Sequence, residues 1–148
     1  MHLSFMGAGI CFKEGENPLQ VKYQAAHNEL VASALAVKIG HEINPDFQLG
    51  CMLAAGSVYP YSCNPADVWE SRKKDRENYF FIDVQARGEY PSYAVKFLEQ
   101  QGIALEMEEQ DAQILKENIV DFISLSYYNS RCVRADGKGE ASGGNVFA

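Results

Sequence analysis

Two short apolar runs, residues 49–55 and 120–125, constrain this chain more than any other feature. Each is nearly continuous in apolar and small residues, too short for a buried helix, and bounded by turn formers or an abrupt polar change. Such runs read as buried strands of a parallel sheet, which is apolar on both faces because helices cover both. The segments between them carry helical signals. Asn17-Pro18 offers an N-cap side chain followed by proline at the first helical position, and Gly40 offers a stop. Val21, Leu30, Val31, Ala34, Leu35, Val37 and Ile39 supply the apolar face of that helix, and His27 on it reads as a structural or surface residue. Asn64-Pro65 repeats the capping pair and starts a second helix through Trp69 toward Tyr79, with an aromatic end at Phe80-Phe81. Gly88-Glu89-Tyr90-Pro91 breaks the chain, and a third helix through Tyr93, Phe97 and Leu98 stops at Gly102. An acidic segment through Ile114-Leu115 leads into the second strand.

Helix, strand, helices, strand is the order of a parallel α/β sheet with right-handed crossovers. Only two strands are evident, and two parallel strands neither saturate their edges nor bury two faces, so the order reads as a slice of a larger sheet. Open edges and apolar faces predict that the 148 residues self-associate. The stretch from Arg134 to Gly144 is rich in glycine, serine and charge and reads as a loop. Residues 4–17 read as an irregular loop too. Its Gly7-Ala8-Gly9 lacks a preceding strand and the third glycine of a dinucleotide fingerprint, so it does not indicate nucleotide binding.

The candidate site lies where the second strand ends. In parallel α/β folds ligands gather at the carboxyl ends of strands, and residues 120–125 run there into Ser126, Tyr127 and Tyr128, which are placed to face a substrate. The structural alternative is a wet rim of tyrosines, ring inward and hydroxyl outward. Residues 57–63, an aromatic and polar loop, follow the other strand in the same way. Charge narrows the partners: a formal net charge of -7 argues against nucleic acid. Arg72-Lys73-Lys74 is interrupted at once by Asp75 and Glu77 and reads as a solvated helix face. Cys11, Cys51, Cys63 and Cys132 show neither a CxxC pair nor a matching histidine spacing, so reduced thiols, no metal and no cofactor are expected. Cys51 reads as packing, and Cys132 lies close to the candidate site. No stretch is long and apolar enough to span a membrane, and Met1-His2-Leu3-Ser4 lacks the basic start of a signal peptide, which makes the cytoplasm the expected compartment.

Gly88-Glu89-Tyr90-Pro91, the run 115–124 and Ser126-Tyr127-Tyr128 together resemble the central part of family 1 glycoside hydrolases. The likeness extends over Gly15-Glu16-Asn17, residues 21–27, residues 51–56 and Asp75-Arg76-Glu77-Asn78, where it is nearest to bacterial 6-phospho-β-glucosidases. It spans essentially the whole chain. The resemblance implies a partial (β/α)8 barrel, a single piece from its middle with about two strands and flanking helices. It also implies a retaining glycosidase acting on a phosphorylated β-glucoside. The family's acid/base sits in a T-F-N-E segment and its nucleophile in an E-N-G segment, and neither string occurs in the sequence. Both catalytic glutamates are therefore expected outside these residues, and Glu29 and Glu117 receive no catalytic role. One role carries over: the second tyrosine of the family's N-Y-Y segment, here Tyr128, hydrogen-bonds the nucleophile. Where most of the family has asparagine, this chain has Ser126. The second reading is a truncated, non-catalytic remnant kept as a structural or interaction protein. A third, a free-standing small α/β domain, rests on length alone.

Overall fold

A computed structural model describes residues 9–138. Its elements are α1 (Pro18–Ile43), β1 (Gly50–Ala55), β2 (Val58–Pro60), α2 (Pro65–Arg87), α3 (Ser92–Gln100), α4 (Asp111–Glu117), β3 (Phe122–Tyr127) and β4 (Arg131–Val133). Residues 9–17 carry no helix or strand, as expected, while residues 4–8 and the part of the expected loop beyond Lys138 lie outside the described residues.

Both asparagine-proline pairs cap as expected. Asn17 Oδ1 accepts from the Leu19 amide at 3.0 Å, and Asn64 Oδ1 accepts from the Ala66 amide at 2.9 Å. The stop at Gly40 is corrected: α1 runs on to Ile43. Gly40 is there for close approach, because a Cβ would lie 2.3 Å from Leu49 Cδ1. The helix ends at Asn44, whose backbone is extended as expected before Pro45. Its buried face is Ala26, His27, Leu30, Ala34 and Val37, whereas Leu35 and Ile39 are exposed. The second helix also runs longer than expected, to Arg87, and Gly88 ends it in the left-handed region at φ 70°.

The core sits between helices. Leu30, Ala34, Val84 and Leu115 form one cluster from α1, α2 and α4, and Phe80, Ala94, Leu98 and Ile103 form a second around α2 and α3. Tyr23, Phe81, Tyr90 and Phe97 fill the second cluster with tilted and edge-on aromatic contacts. Between the clusters lies a buried polar line. His27, 1% exposed, has Nε2 at 3.0 Å from Asp111 Oδ2 and Nδ1 at 3.0 Å from the Tyr90 hydroxyl. Burial pulls the Asp111 carboxyl upward, but the His27 hydrogen bond and the Glu108 amide outweigh it and hold the group below the usual range. Burial, with the Asp111 charge second, pushes the Tyr90 phenol up to about 12. Asp111 is thus the anion, which accepts from His27 Nε2–H, and the Tyr90 hydroxyl lies within hydrogen-bonding distance of Nδ1. His27 is structural. Gln20 and Gln24, one turn apart on α1, each donate to and accept from the backbone of the 104–106 segment, as a neighbouring strand would.

β1 and β3 pair in parallel, Gly50 opposite Phe122 through Ala55 opposite Tyr127, as the crossover order requires. Two further short strands, β2 and β4, escape the sequence reading and pair in parallel in a second sheet. The third strand is displaced from the expected 120–125 to Phe122–Tyr127, so Ser126 and Tyr127 belong to it. The expectation of buried strands is also corrected. Leu53 is the one buried strand residue among those described, while Met52 is 64% and Leu125 66% exposed. The reason is geometric: α2 packs on the strands, and among the described residues no third strand flanks β1 or β3.

Candidate functional site

The parallel pairing brings two strand ends together. Ala54 lies opposite Ser126 and Ala55 opposite Tyr127 at the carboxyl ends of β1 and β3. Beyond them the chains continue side by side, since the Arg131 amide donates to the Ser57 carbonyl at 2.9 Å and Val58 pairs with Arg131. Residues 57–63 and 128–133, separated in sequence by a complete α/β crossover, therefore form one rim.

Ser126 is half-buried, and its Oγ lies 3.1 Å from Met52 Sδ across the strand pair. This contact puts Ser126 and Met52 on one face, and Ser124, whose Oγ donates to the Cys51 carbonyl at 3.1 Å, precedes Ser126 on it by one strand repeat. Tyr127 is exposed, and Tyr128, the first residue after β3, is 77% exposed. Tyr59 and Tyr61 are exposed on the neighbouring segment. The three predicted residues thus share a strand end, and the rim offers phenol and serine hydroxyls.

The nearby carboxylates are already engaged. Asp67 accepts from the Ala135 amide at 2.8 Å and from the Ser62 hydroxyl at 2.6 Å, and these bonds, the amide first, hold its carboxyl below the usual range. Asp75 accepts from the Val58 amide at 3.2 Å, and Ser71 donates to the Val58 carbonyl at 2.6 Å. At the opposite end of β3, Asp121 Oδ2 accepts from the Leu49 amide at 2.7 Å and lies 2.9 Å from His41 Nε2. The Leu49 amide is the main cause that keeps the Asp121 carboxyl low. A carboxylate committed to backbone amides fixes loops and is poorly placed to shuttle protons. Sequence reasoning misses this frame because its partners are far apart in the chain; Ala135 and Asp67 are separated by 68 residues. Arg134, whose guanidinium lies 4.5 Å from the Tyr61 ring centroid and pairs with Asp136, is a further rim residue without a sequence signal.

The site can donate hydrogen bonds to a carboxylate or a sugar hydroxyl brought to it, but among the described residues it carries no pair of free carboxylates of its own. Among the described residues no group of three His, Cys, Asp or Glu side chains could hold a metal. All four cysteines are free thiols. Cys51 is half-buried, with its thiol pushed up by burial, and Cys132 is exposed on β4 opposite Tyr59. Glu29 is exposed on α1, and Glu117 accepts from Gln113 Nε2 at the end of α4, so neither approaches the rim through any hydrogen bond. Among the described residues no helix is long and apolar enough to cross a membrane.

Comparison with known proteins agrees with this frame. Residues 2–145 match the profile of glycosyl hydrolase family 1. The chain is 60% identical over 136 residues to the 6-phospho-beta-glucosidase AscB of Escherichia coli, covering 92% of this chain and 28% of that protein. It is 49% identical over 148 residues to the aryl-phospho-beta-D-glucosidase BglH of Bacillus subtilis, covering 99% of this chain and 32% of that protein. Among solved structures, a beta-glucosidase from Thermotoga maritima in complex with glucoimidazole superposes with a TM-score of 0.67 at 28% identity, covering 83% of this chain and 28% of that one. The chain therefore spans roughly a third or less of the length of these relatives. Its parallel strands and flanking helices are part of a (β/α)8 barrel, with no closed barrel among the described residues. On the profile match and on these identities, the chain belongs to glycosyl hydrolase family 1.

Proposed function

We propose that these residues are the middle portion of a retaining 6-phospho-β-glucosidase, which hydrolyses the glycosidic bond of phosphorylated β-glucosides. The observation that carries this reading is 60% identity over nearly the whole chain to a protein named for that activity. A retaining glycosidase uses two carboxyl groups about 5–5.5 Å apart, one attacking the anomeric carbon and the other protonating the leaving oxygen. Both glutamates come from chain outside the 148 residues, where the T-F-N-E and E-N-G segments would lie. This portion contributes helices, barrel strands and the hydroxyl rim.

Within the rim Tyr128 donates its phenol proton to the nucleophilic carboxylate. A donor at that position favours the ionised form and sets its angle of attack. Its exposure at the carboxyl end of a parallel strand supports the assignment, since no neighbour in the described residues competes for its hydroxyl. Ser126 and Tyr127 lie beside it, close to the substrate. The cytoplasm is the compartment that fits this reading, because a phosphorylated sugar does not cross a membrane passively and is met on the side where it is phosphorylated.

The test is a protein completed with the flanking segments. Tyr128→Phe removes one hydrogen bond to a charged group, worth about 1.5–3 kcal/mol, and should slow formation of the glycosyl-enzyme about ten- to hundredfold. The 148-residue chain alone should not hydrolyse a chromogenic 6-phospho-β-glucoside. A Tyr128→Phe enzyme as fast as the unmodified one would reduce Tyr128 to a rim tyrosine.

A further inference from the structure

Away from the strand ends, α1, α2 and α3 line an open cavity of about 530 Å³. None of its lining residues belongs to a strand or to the rim. Its walls include Tyr23, Trp69, Tyr93 and Phe97, and four charged side chains line it: Lys73, Arg76, Glu77 and Lys96. The Arg76 guanidinium is held between two rings, 5.5 Å from the Trp69 centroid and 5.3 Å from that of Tyr93. Tyr93 is itself fixed, because its hydroxyl donates to Asp83 Oδ2 at 2.5 Å.

Charge pairing around the cavity is unequal. Glu77 faces it but pairs with Lys74 at 3.1 Å, and Lys73 pairs with Glu70 at 2.8 Å. Among the described residues neither Arg76 nor Lys96 makes an ion pair with any carboxylate. Two cations without an ion-pair partner among the described residues thus face one aromatic-walled space beside the Glu77 carboxylate, in a chain whose formal net charge is -7. An arginine stacked on rings keeps its N–H edge available for bidentate contact with a phosphate, and a lysine adds a point charge. Trp69, 55% exposed, presents a flat face against which a ring can lie. The volume falls in the range of small-molecule pockets, about 300–1,000 Å³.

We propose that this cavity binds a phosphomonoester carried on a ring, a sugar phosphate or an aryl phosphate, with Arg76 and Lys96 on the phosphate and Trp69 along the ring. The assignment uses no residue of the strand-end rim and stands apart from the catalytic reading. Trp69 lies on the cavity wall, so a change in its emission accompanies occupation of the site. The protein completed with the flanking segments is titrated with phenyl phosphate, glucose 6-phosphate, inorganic phosphate and glucose, read by calorimetry and by tryptophan fluorescence. Saturable binding of at least one of the two ring-bearing esters is expected at millimolar concentration or below, tighter than inorganic phosphate, with no response to glucose. Which ester saturates distinguishes the sugar from the aryl source. Arg76→Gln and Lys96→Gln should each weaken binding by about tenfold or more, while Lys38→Gln, on the exposed pair with Glu42, should not. Lys96 is exposed on α3, so its variant keeps the test valid if Arg76→Gln perturbs packing, which circular dichroism of each variant checks. Absence of saturation with both esters, or unchanged affinity in both variants, overturns the proposal.

Discussion

Replacing Asp111 with alanine should cost this fold more than any surface change, and the cost follows from two hydrogen bonds. Asp111 Oδ2 accepts from His27 Nε2 at 3.0 Å and from the Glu108 amide at 2.7 Å. Asp111 is 7% exposed and His27 1%. Alanine removes a charge-assisted bond, typically about 1.5–3 kcal/mol, and strands the Nε2–H of a ring that water cannot reach without opening the helix packing. The Glu108 amide adds a smaller loss because it lies nearer the surface, which brings the total to about 2–4 kcal/mol. Complete globular domains are stable by only about 5–15 kcal/mol, so a loss of this size is a large fraction of what a fold has to spare. Asp111→Asn keeps one acceptor oxygen and should cost about 1 kcal/mol. The assay is urea unfolding followed by far-ultraviolet circular dichroism for the original chain and both variants at the same pH. An Asp111→Ala chain within about 0.5 kcal/mol of the original, the range of ordinary surface substitutions, would refute the argument. It would mean that His27 repacks or is hydrated without consequence.

Other perturbations follow from the same fold. Because the carboxyls of Asp111 and Asp121 lie below the ordinary range in the folded chain, the stability they give is fully present above the unfolded carboxylate value near pH 4. It is lost as pH falls through their folded values. The unfolding midpoint measured against pH should be level near neutrality and decline below about pH 4, and a decline that starts near neutrality would point away from these carboxylates. Gly88→Ala should destabilise by about 1–2 kcal/mol from the left-handed backbone alone. A Cβ there would in addition sit 2.6 Å from the Leu115 carbonyl, and thermal unfolding measures the sum. Exposed Met52, Phe122 and Leu125 on strands with an unpaired edge should make the chain self-associate, which sedimentation at increasing concentration tests; a compact monomer throughout would contradict it.

What the sequence made readable was local. Asn17-Pro18 and Asn64-Pro65 announce helix starts because the capping oxygen and the proline act within two residues of each other. The parallel pairing of β1 with β3 follows from the helices between them. Gly40 misleads because its reason is tertiary: Leu49 occupies the space a side chain would need, and nothing near Gly40 in the chain reveals it. β2 and β4 are missed because three-residue strands carry too little pattern, and Pro60 argues against a strand unless its partner is known. The rim residues Ser126, Tyr127 and Tyr128 are legible as an abrupt polar end to an apolar run. The aspartates that hold the rim in place are not, because a carboxylate that accepts from a backbone amide across the fold looks in sequence like any charged surface residue.

One of those aspartates explains how the strand end is set. Strand pairing has a period of two, so a slip of one residue between β1 and β3 would turn Ser126 from the face it shares with Met52 to the opposite one. Apolar character alone resists such a slip weakly here, because Phe122, Ile123 and Leu125 are exposed on both faces and neither face is strongly preferred. The register must then come from specific contacts at the strand entrance. Asp121 supplies them: its amide donates to the Leu49 carbonyl at 2.8 Å, and its carboxylate receives the Leu49 amide at 2.7 Å. The same oxygen meets His41 in the last turn of α1, which ties the register to the helix layer as well. Gly50 completes the lock by leaving room for the Phe122 ring, which a Cβ would meet at 2.4 Å. The placement of the strand-end hydroxyls is therefore decided at the far end of the strand, by a residue that touches none of them.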